Sequence, residues 1–251
     1  MKKSRLNLPV KAIVVSLIIF LSFALTTGYT LHFIRQSPYF KIKEIVSRDS
    51  ISVQPLSYLK GKNIFSVQLR KESIYISQFF PEYKSVRLYR LLPNRLFVDF
   101  VKRTPVAQVK LYRYFNIDDD GVFFYGQAPQ EVPLPQITGL ETKIFGPKPG
   151  RKYNVKELLC ALNIIKEINK NRRFKNYTVK RVDVANPASA TIFMPISGAN
   201  ETLEVKLGAD NIKDKVALLS SIILAAKKEL ANIKYIDLRF KDPVIKMKDA
   251  K

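Results

Sequence analysis

One apolar stretch, from Ala12 to Phe33, constrains the rest of the chain more than any other feature of the sequence. It reads AIVVSLIIFLSFALTTGYTLHF and contains no Lys, Arg, Asp or Glu. A helix rises about 1.5 Å per residue, so about 20 such residues cross the roughly 30 Å hydrocarbon core of a bilayer. The alternatives are a buried helix and a cleaved signal peptide, but the block is longer than a signal's apolar region and no clear A-x-A site follows it. We therefore predict a retained transmembrane helix at residues 12–33.

The basic residues around this stretch predict its orientation. Residues 1–11 contain Lys2, Lys3, Arg5 and Lys11 and no acidic residue, which is typical of a short cytoplasmic tail. Basic residues also follow the stretch, but a long C-terminal domain is translocated largely regardless of its charge. We expect a single-pass protein of the cell (inner) membrane, with its C-terminal part in the periplasm or outside the cell.

The chain is strongly basic, with 43 Lys and Arg against 21 Asp and Glu and a net charge of +22. Four of the basic residues precede the span, so the exported part carries a net charge of +18. Such a surface attracts anionic lipid, acidic wall polymers or nucleic acid, and export argues against nucleic acid. The single cysteine, Cys160, excludes an intramolecular disulfide, so packing must stabilise the fold.

Residues 38–105 are predicted to form a small two-layer module. Ser37-Pro38 ends the span helix because proline lacks a backbone donor. The pattern then predicts a strand, two helices and two strands, at Phe40–Val46, Val53–Leu59, Val67–Phe80, Ser85–Leu91 and Arg95–Val101. The last two strands flank the turn dipeptide Pro93-Asn94 and so predict a hairpin. A sheet with two helices on one face is the expected fold.

This module resembles the POTRA domain of the FtsQ/DivIB family of bacterial cell-division proteins. The similar segments are PYFKIKEI directly after the span, LKGKNIFSV, and PEYKSVRLYRLLPNRLFVDFVKRTPVA, at residues 38–45, 59–67 and 81–107. Two positions depart from the family pattern. Ser47–Ser50 stands where a turn often contains glycine, and Lys102 stands where an acidic residue is common. The resemblance implies a POTRA domain at residues 38–105, in the order β-α-α-β-β.

Residues 106–241 are predicted to form a mixed α+β domain with a mostly antiparallel sheet and two long helices. The helices are expected at Val155–Lys170 and Ile212–Leu230. Strands are expected at Val106–Leu111, Tyr114–Ile117, Val122–Tyr125, Tyr177–Val184, Ala190–Met194, Thr202–Leu207 and Tyr235–Phe240. This segment resembles the FtsQ/DivIB-type β domain, in which a turn like Asp118–Gly121 also leads to a segment like LPQITG at residues 134–139.

The end of the chain carries a second part of the resemblance. The run YIDLRF at Tyr235–Phe240 is similar to a Tyr-x-Asp-Leu-Arg-aromatic signature of the family's last strand. In that family the strand that follows lies at a sheet edge, where a membrane-anchored coiled-coil partner, FtsB or DivIC, adds a strand. Residues 242–251 are then either a tail or this edge strand, and Pro243 should interrupt its pairing. Carried over, the partner-binding residues are Tyr235, Arg239, Phe240, Lys241, Asp242, Val244, Ile245 and Met247.

The sequence argues against an enzyme, and we expect no catalytic, cofactor-binding or metal-binding residues. The only histidine, His32, lies in the span, which excludes a Ser-His-Asp or Cys-His site beyond the membrane. Ser57 and Lys60 match Ser-x-x-Lys, but no Ser-Asp-Asn or Lys-Thr-Gly accompanies them. Asp118-Asp119-Asp120 lacks the alternating ligands and distant Glu of a calcium loop, so we interpret it as a hairpin turn.

Two main functions remain open. The first is a non-catalytic scaffold of the division machinery at the septum, which binds FtsB/DivIC-like and FtsL-like proteins, with septal wall synthases as further partners. The second is an exported POTRA-type binding module in protein secretion or envelope assembly. A single anchor before one POTRA unit, with no series of strands for a membrane barrel, favours the first. A third, weaker hypothesis is a basic protein that binds lipid or wall polymer. None of these requires nucleic acid or a small-molecule substrate.

Overall fold

The computed structural model describes residues 10–48, 51–126, 134–196, 202–227 and 229–248. The predicted tail at residues 1–11 lies outside these ranges apart from two helical residues, as do the last three residues of the segment 242–251. The chain forms two compact units. One comprises Met1–Phe79 with Ser85–Val101, and the other comprises Phe80–Lys84 with Lys102–Lys251.

The predicted transmembrane stretch forms one continuous helix, α1 (Val10–Gln36). Its part from Ala12 to Gln36 is long and apolar enough to cross a membrane, and none of its apolar window is buried in the protein. A helix with apolar side chains on every face, whose apolar window stays exposed among the described residues, is suited to lipid. The helix ends before Ser37, as Pro38 predicts.

The first unit contains a three-stranded sheet among its described residues. After α1 come strand β1 (Glu44–Ser47), a 3₁₀ helix (Gln54–Leu59), helix α2 (Leu69–Ser77) and strands β2 (Tyr83–Leu91) and β3 (Arg95–Lys102). The strand order is β1-β3-β2, and β1 runs parallel to β3. This sequence of elements agrees with the prediction, except that the first helix is a 3₁₀ helix. The predicted alternation in β3 is confirmed, because Leu96, Val98 and Phe100 are all buried.

The second unit begins with four short strands and a long helix. These are β4 (Ala107–Lys110), β5 (Tyr114–Ile117), β6 (Phe123–Tyr125), β7 (Gln136–Thr138) and α3 (Lys156–Lys170). The rest of the unit alternates between strands and one further helix, in the order β8 (Arg181–Asp183), β9 (Thr191–Pro195), β10 (Thr202–Lys206), α4 (Ile212–Ala225), β11 (Ile233–Asp237) and β12 (Val244–Met247).

All these strands form one sheet, in the order β12-β11-β10-β9-β8-β7-β4-β5-β6. Five of its eight strand pairs are antiparallel, so the predicted mostly antiparallel sheet is confirmed. Its buried side chains form one apolar core with the inner faces of α3 and α4, and Cys160 belongs to that core. Burial raises the pKa of the Cys160 thiol, as expected for a structural cysteine.

Two predicted boundaries near the end of the chain are wrong. Helix α4 ends at Ala225 rather than Leu230, which lies in a separate 3₁₀ turn. The strand predicted at Tyr235–Phe240 begins earlier and ends at Asp237. The reason for its early end is local. The carboxylate of Asp237 accepts a hydrogen bond from the backbone N–H of Arg239 (3.1 Å), which turns the chain out of the sheet.

Candidate partner-binding edge

Strand β12 is the last strand at one end of the larger sheet. It pairs antiparallel with β11 on its inner side, and no strand among the described residues pairs with its outer side. Its four residues are all exposed, although three of them are apolar. An apolar strand with an unpaired outer side is a template for the addition of another strand.

A continuous row of apolar side chains crosses the sheet and ends at this strand. Residues directly paired in a sheet share a face, and the pairing connects Phe115, Val109, Ile137, Val182, Ile192, Val205, Ile236 and Ile245 in one line. The first seven are completely buried, but Ile245 is 43% exposed. The row therefore stops at a half-covered side chain on the outermost strand.

The backbone of β12 leaves hydrogen-bonding groups on the outer side. In an antiparallel pair, the N–H and C=O of successive residues point alternately toward and away from the neighbouring strand. The N–H of Lys248 points inward, since it donates to the carbonyl of Asn232 (2.7 Å). The pairing has an irregularity between Ile233 and Tyr235, which adds a residue to β11 and not to β12. The alternation along β12 therefore makes the backbone groups of Val244 and Lys246 face β11 and those of Ile245 and Met247 face outward.

The turn that leads into β12 holds the other predicted site residues. Phe240, Lys241 and Asp242 lie in it, and all three are exposed, with Phe240 62% exposed. Pro243 lies immediately before β12 rather than inside it, so it removes no hydrogen bond from the strand. Tyr235 lies on β11, and the other predicted residues lie on the edge strand and in the turn before it.

Two of the predicted residues already have partners within the chain. The guanidinium of Arg239 is bound by Asp237 and also donates to the hydroxyl of Ser189 (3.2 Å). The ring of Tyr235 lies 4.7 Å below the ammonium group of Lys206 and is partly covered. These two side chains support the edge, and the exposed residues of the turn and of β12 form its accessible surface.

The apolar row is not evident from the sequence. Its members lie on eight different strands, and only the pairing register brings them into line. The signal that the sequence does contain is the alternation within single strands, such as Leu203 and Val205 in β10.

The aspartate turn forms a second charged cluster in the same unit. Asp118 is buried and forms an ion pair with Arg103, and Asp118 Oδ1 accepts hydrogen bonds from the N–H groups of Asp120 and Val122. Lys84 forms ion pairs with Asp119 (3.2 Å) and Asp120 (2.8 Å), and its hydrogen bond lowers the pKa of Asp120. The three carboxylates are close enough to hold a metal ion. Each of them, however, is already paired, Asp118 with Arg103 and the other two with Lys84, and the cluster forms the predicted turn into β6.

An apolar helix that can cross a bilayer, followed by two α+β units, defines a single-pass membrane protein of the α+β class. Residues 106–239 match a family described as "Cell division protein FtsQ/DivIB, C-terminal". This match covers just over half of the chain. The protein therefore belongs to the FtsQ/DivIB family of cell division proteins, and the resemblance predicted from the sequence is confirmed.

Individual relatives agree with this assignment, and each of the following is named cell division protein FtsQ. The protein from Geotalea daltonii is 27% identical over 188 residues, which is 74% of this chain and 66% of that protein. The protein from Syntrophotalea carbinolica is 25% identical over 222 residues, 85% of this chain and 76% of its own length. The protein from Koribacter versatilis is 24% identical over 189 residues, 74% of this chain and 52% of its own length. The matched part of the chain thus spans between about half and three quarters of these relatives.

Proposed function

We propose that this protein is a non-catalytic scaffold of the bacterial division machinery that binds its partner by strand addition at β12. The observation that carries this proposal is the apolar row that ends at the half-exposed Ile245. An apolar residue on an added partner strand would cover Ile245 and continue the row. The outward backbone groups of Ile245 and Met247 would supply the hydrogen bonds, so affinity would come from the main chain and specificity from alternate side chains.

The proposed partner is an FtsB/DivIC-like protein in complex with an FtsL-like protein, and septal wall synthases are further partners. Family membership supports this assignment, since division proteins of this kind work within a complex. The surface offered to the partner consists of β12 and the exposed turn residues Phe240, Lys241 and Asp242. The exposed lysines of this surface, Lys241 and Lys246, favour a partner strand that carries acidic residues.

The proposed topology places residues 1–11 in the cytoplasm and the two α+β units beyond the membrane, at the division septum. It rests on the basic tail and on the length of the domain that follows α1. Residues 38–105 would then form a POTRA domain, which the order of the elements β1 to β3 supports. The position of the only histidine, His32, in α1 supports a role without catalysis.

A proline substitution in β12 tests strand addition directly. Proline removes a backbone N–H, and edge strands tolerate it where that N–H faces solvent. Because the N–H of Met247 points outward, Met247→Pro should leave the pairing with β11 intact and abolish co-purification of the full chain with its FtsB/DivIC-like partner. Met247→Ala keeps the N–H and loses only the side chain, so as the matched control it should co-purify far better than Met247→Pro. Full binding by a folded Met247→Pro variant would contradict the proposal.

The alternative function, a POTRA-type module in secretion or envelope assembly, makes a different prediction in cells. Depletion of a division scaffold gives filamentous cells, and a fluorescent fusion gives a band at mid-cell. Depletion of a secretion module gives cells of normal length that retain exported proteins. A depletion strain that carries the fluorescent fusion separates the two.

A further inference from the structure

The end of the membrane helix has a carbonyl that its own helix leaves without a donor. In an α-helix the carbonyl of residue i accepts from the N–H of residue i+4. For Ile34 that position is Pro38, which has no N–H. The side chain of Asn63 supplies the missing donor, since its Nδ2 lies 2.8 Å from the carbonyl oxygen of Ile34. An unsatisfied carbonyl is costly close to a bilayer, so this hydrogen bond stabilises the end of α1.

The segment that carries Asn63 is fixed directly beyond the helix. We call residues 61–65, GKNIF, the juxtamembrane loop. Its backbone pairs with the chain just after α1, through hydrogen bonds from Ile42 N to Lys62 O (2.9 Å) and from Ile64 N to Phe40 O (2.9 Å). The Oδ1 of Asn63 accepts from the N–H of Phe65 (2.9 Å), so the same amide shapes the loop and binds the helix.

This arrangement places exposed aromatic rings at the end of the span. Tyr39 is 63% exposed and Phe65 is 42% exposed. The ring of Phe40 lies between them and packs edge-on against each, with centroid distances of 5.3 Å. These three rings form the aromatic patch. Phe40 contacts one side of each outer ring, and much of Tyr39 and Phe65 stays exposed among the residues that the structure describes.

The charges around the aromatic patch are positive. Arg35 and Lys41 are exposed and flank Tyr39 and Phe40 in the sequence, and residues 35–43 contain no acidic residue. Lys62 is exposed in the juxtamembrane loop, with its ammonium 4.7 Å from the centre of the Tyr58 ring. Aromatic residues flanked by Lys and Arg are typical of the headgroup layer of a membrane, where the rings lie among the upper acyl chains and the cations contact lipid phosphates.

We propose that the juxtamembrane loop anchors the first unit on an anionic lipid surface, with Tyr39 and Phe65 inserted into the headgroup layer. Continuity with α1 favours lipid over a protein partner, because the patch begins three residues after the helix ends and is bound to it through Asn63. The proposal rests on α1 crossing the bilayer and is independent of strand addition at β12. Asn63 would set the height of the unit above the membrane, with the aromatic patch as its contact.

Tryptophan fluorescence tests this contact, because the chain contains no tryptophan of its own. The full chain is reconstituted into phosphatidylglycerol-containing vesicles as the single variants Tyr39→Trp and Phe65→Trp. Tyr89→Trp is the matched control, since Tyr89 is 44% exposed and lies on strand β2. Brominated lipids should quench the two patch variants several-fold more than the control variant, and aqueous acrylamide should quench them several-fold less.

Two results would overturn the proposal. Equal quenching of the indole in all three variants would show that the patch is in water. Protection of the two patch variants from acrylamide, without quenching by brominated lipid, would show that protein covers the patch. Neither result bears on partner binding at β12, which co-purification measures separately.

The role of Asn63 is tested by Asn63→Asp in the Phe65→Trp background. Aspartate keeps the oxygen that accepts from the backbone N–H of residue 65 and loses the donor to Ile34. We expect a several-fold loss of indole quenching by brominated lipid, with an unchanged circular dichroism spectrum. Quenching as strong as in the Phe65→Trp parent would show that the hydrogen bond from Asn63 to Ile34 does not position the aromatic patch.

Discussion

Arg239 holds Asp237 by both carboxylate oxygens, with Nε 2.9 Å from Oδ1 and Nη2 2.6 Å from Oδ2. Asp237 is the last residue of β11, and its side chain is only 7% exposed. The hydrogen bonds from Arg239 hold the pKa of Asp237 below its usual range. The pair therefore fixes the point at which the chain leaves β11 and turns toward β12.

Replacement of Asp237 by asparagine should destabilise this turn in a pH-dependent way. At pH 7 we expect the free energy of unfolding to fall by about 1 kcal/mol, because a charge-assisted and partly exposed pair is lost. A carboxyl with a lowered pKa stabilises the fold above its unfolded pKa, and this contribution is lost as the pH falls through its folded pKa. Urea unfolding of Asp237→Asn and wild type at pH 7 and in acid measures the difference. Asp242→Asn, an exposed acid in the same turn, is the control, and a gap that persists in acid would refute the assignment.

A negative charge on the accessible part of the edge should prevent partner binding. Phe240→Glu and Val244→Glu each place a carboxylate at an exposed apolar position, where a partner strand would have to bury it. We expect both variants to lose co-purification with the FtsB/DivIC-like partner while circular dichroism shows a folded protein. Leu224→Glu is the control, because Leu224 is 65% exposed on α4 and lies outside the predicted site. Unchanged co-purification by both edge variants would show that the partner binds elsewhere.

The buried ion pair at the aspartate turn should contribute more to stability than the exposed pairs beside it. Arg103→Ala leaves Asp118, whose side chain is 1% exposed, without its cation, and also removes the donor to the carbonyl of Pro81 (3.0 Å). We expect a loss of about 3 kcal/mol in the free energy of unfolding. Lys84→Ala removes the exposed pairs to Asp119 and Asp120 and should change the unfolding midpoint little. Equal midpoints for the two variants would contradict this ranking.

Gly139, the last residue of the LPQITG segment, should not tolerate a side chain. Its φ is +91°, and a Cβ there would lie 2.2 Å from the backbone nitrogen of Ala185. We expect Gly139→Ala to cost about 3 kcal/mol or more, from strain and from displacement of the neighbouring backbone. Gly146→Ala is the matched control. Gly146 also has a positive φ, of +55°, but a Cβ there would meet nothing within 4 Å, so its cost should be about 1 kcal/mol. Thermal unfolding of both variants gives the comparison.

The sequence predicts the elements of this fold well because most of its signals are local. The apolar stretch predicts α1, the alternation in Leu96, Val98 and Phe100 predicts the buried face of β3, and an apolar stripe predicts α3. One of the errors occurs where a side chain bonds the backbone nearby. The strand expected to reach Phe240 ends at Asp237 because the Asp237 carboxylate accepts a hydrogen bond from the N–H of Arg239. The alternation of apolar residues along a strand does not reveal such a bond.

The candidate site was predicted in part, and by resemblance rather than by periodicity. Except for Tyr235, which lies on β11, the predicted residues lie on one edge strand and in the turn before it. The outward direction of the backbone at Ile245 and Met247, and the apolar row behind Ile245, depend on pairing between strands that are distant in sequence. The hydrogen bond from Asn63 to Ile34 also could not be predicted from local sequence patterns, because 29 positions separate the two residues.

An apolar edge strand with an unpaired outer side can also pair with the wrong chain, above all with another copy of the same protein. Lys246 lies on β12 and Lys241 lies in the turn before it, and both are exposed. If two copies approached edge to edge, these cations would come close together, and like-charge repulsion would oppose self-association. Exposed lysines at an edge strand thus lower its tendency to pair with a second copy of itself.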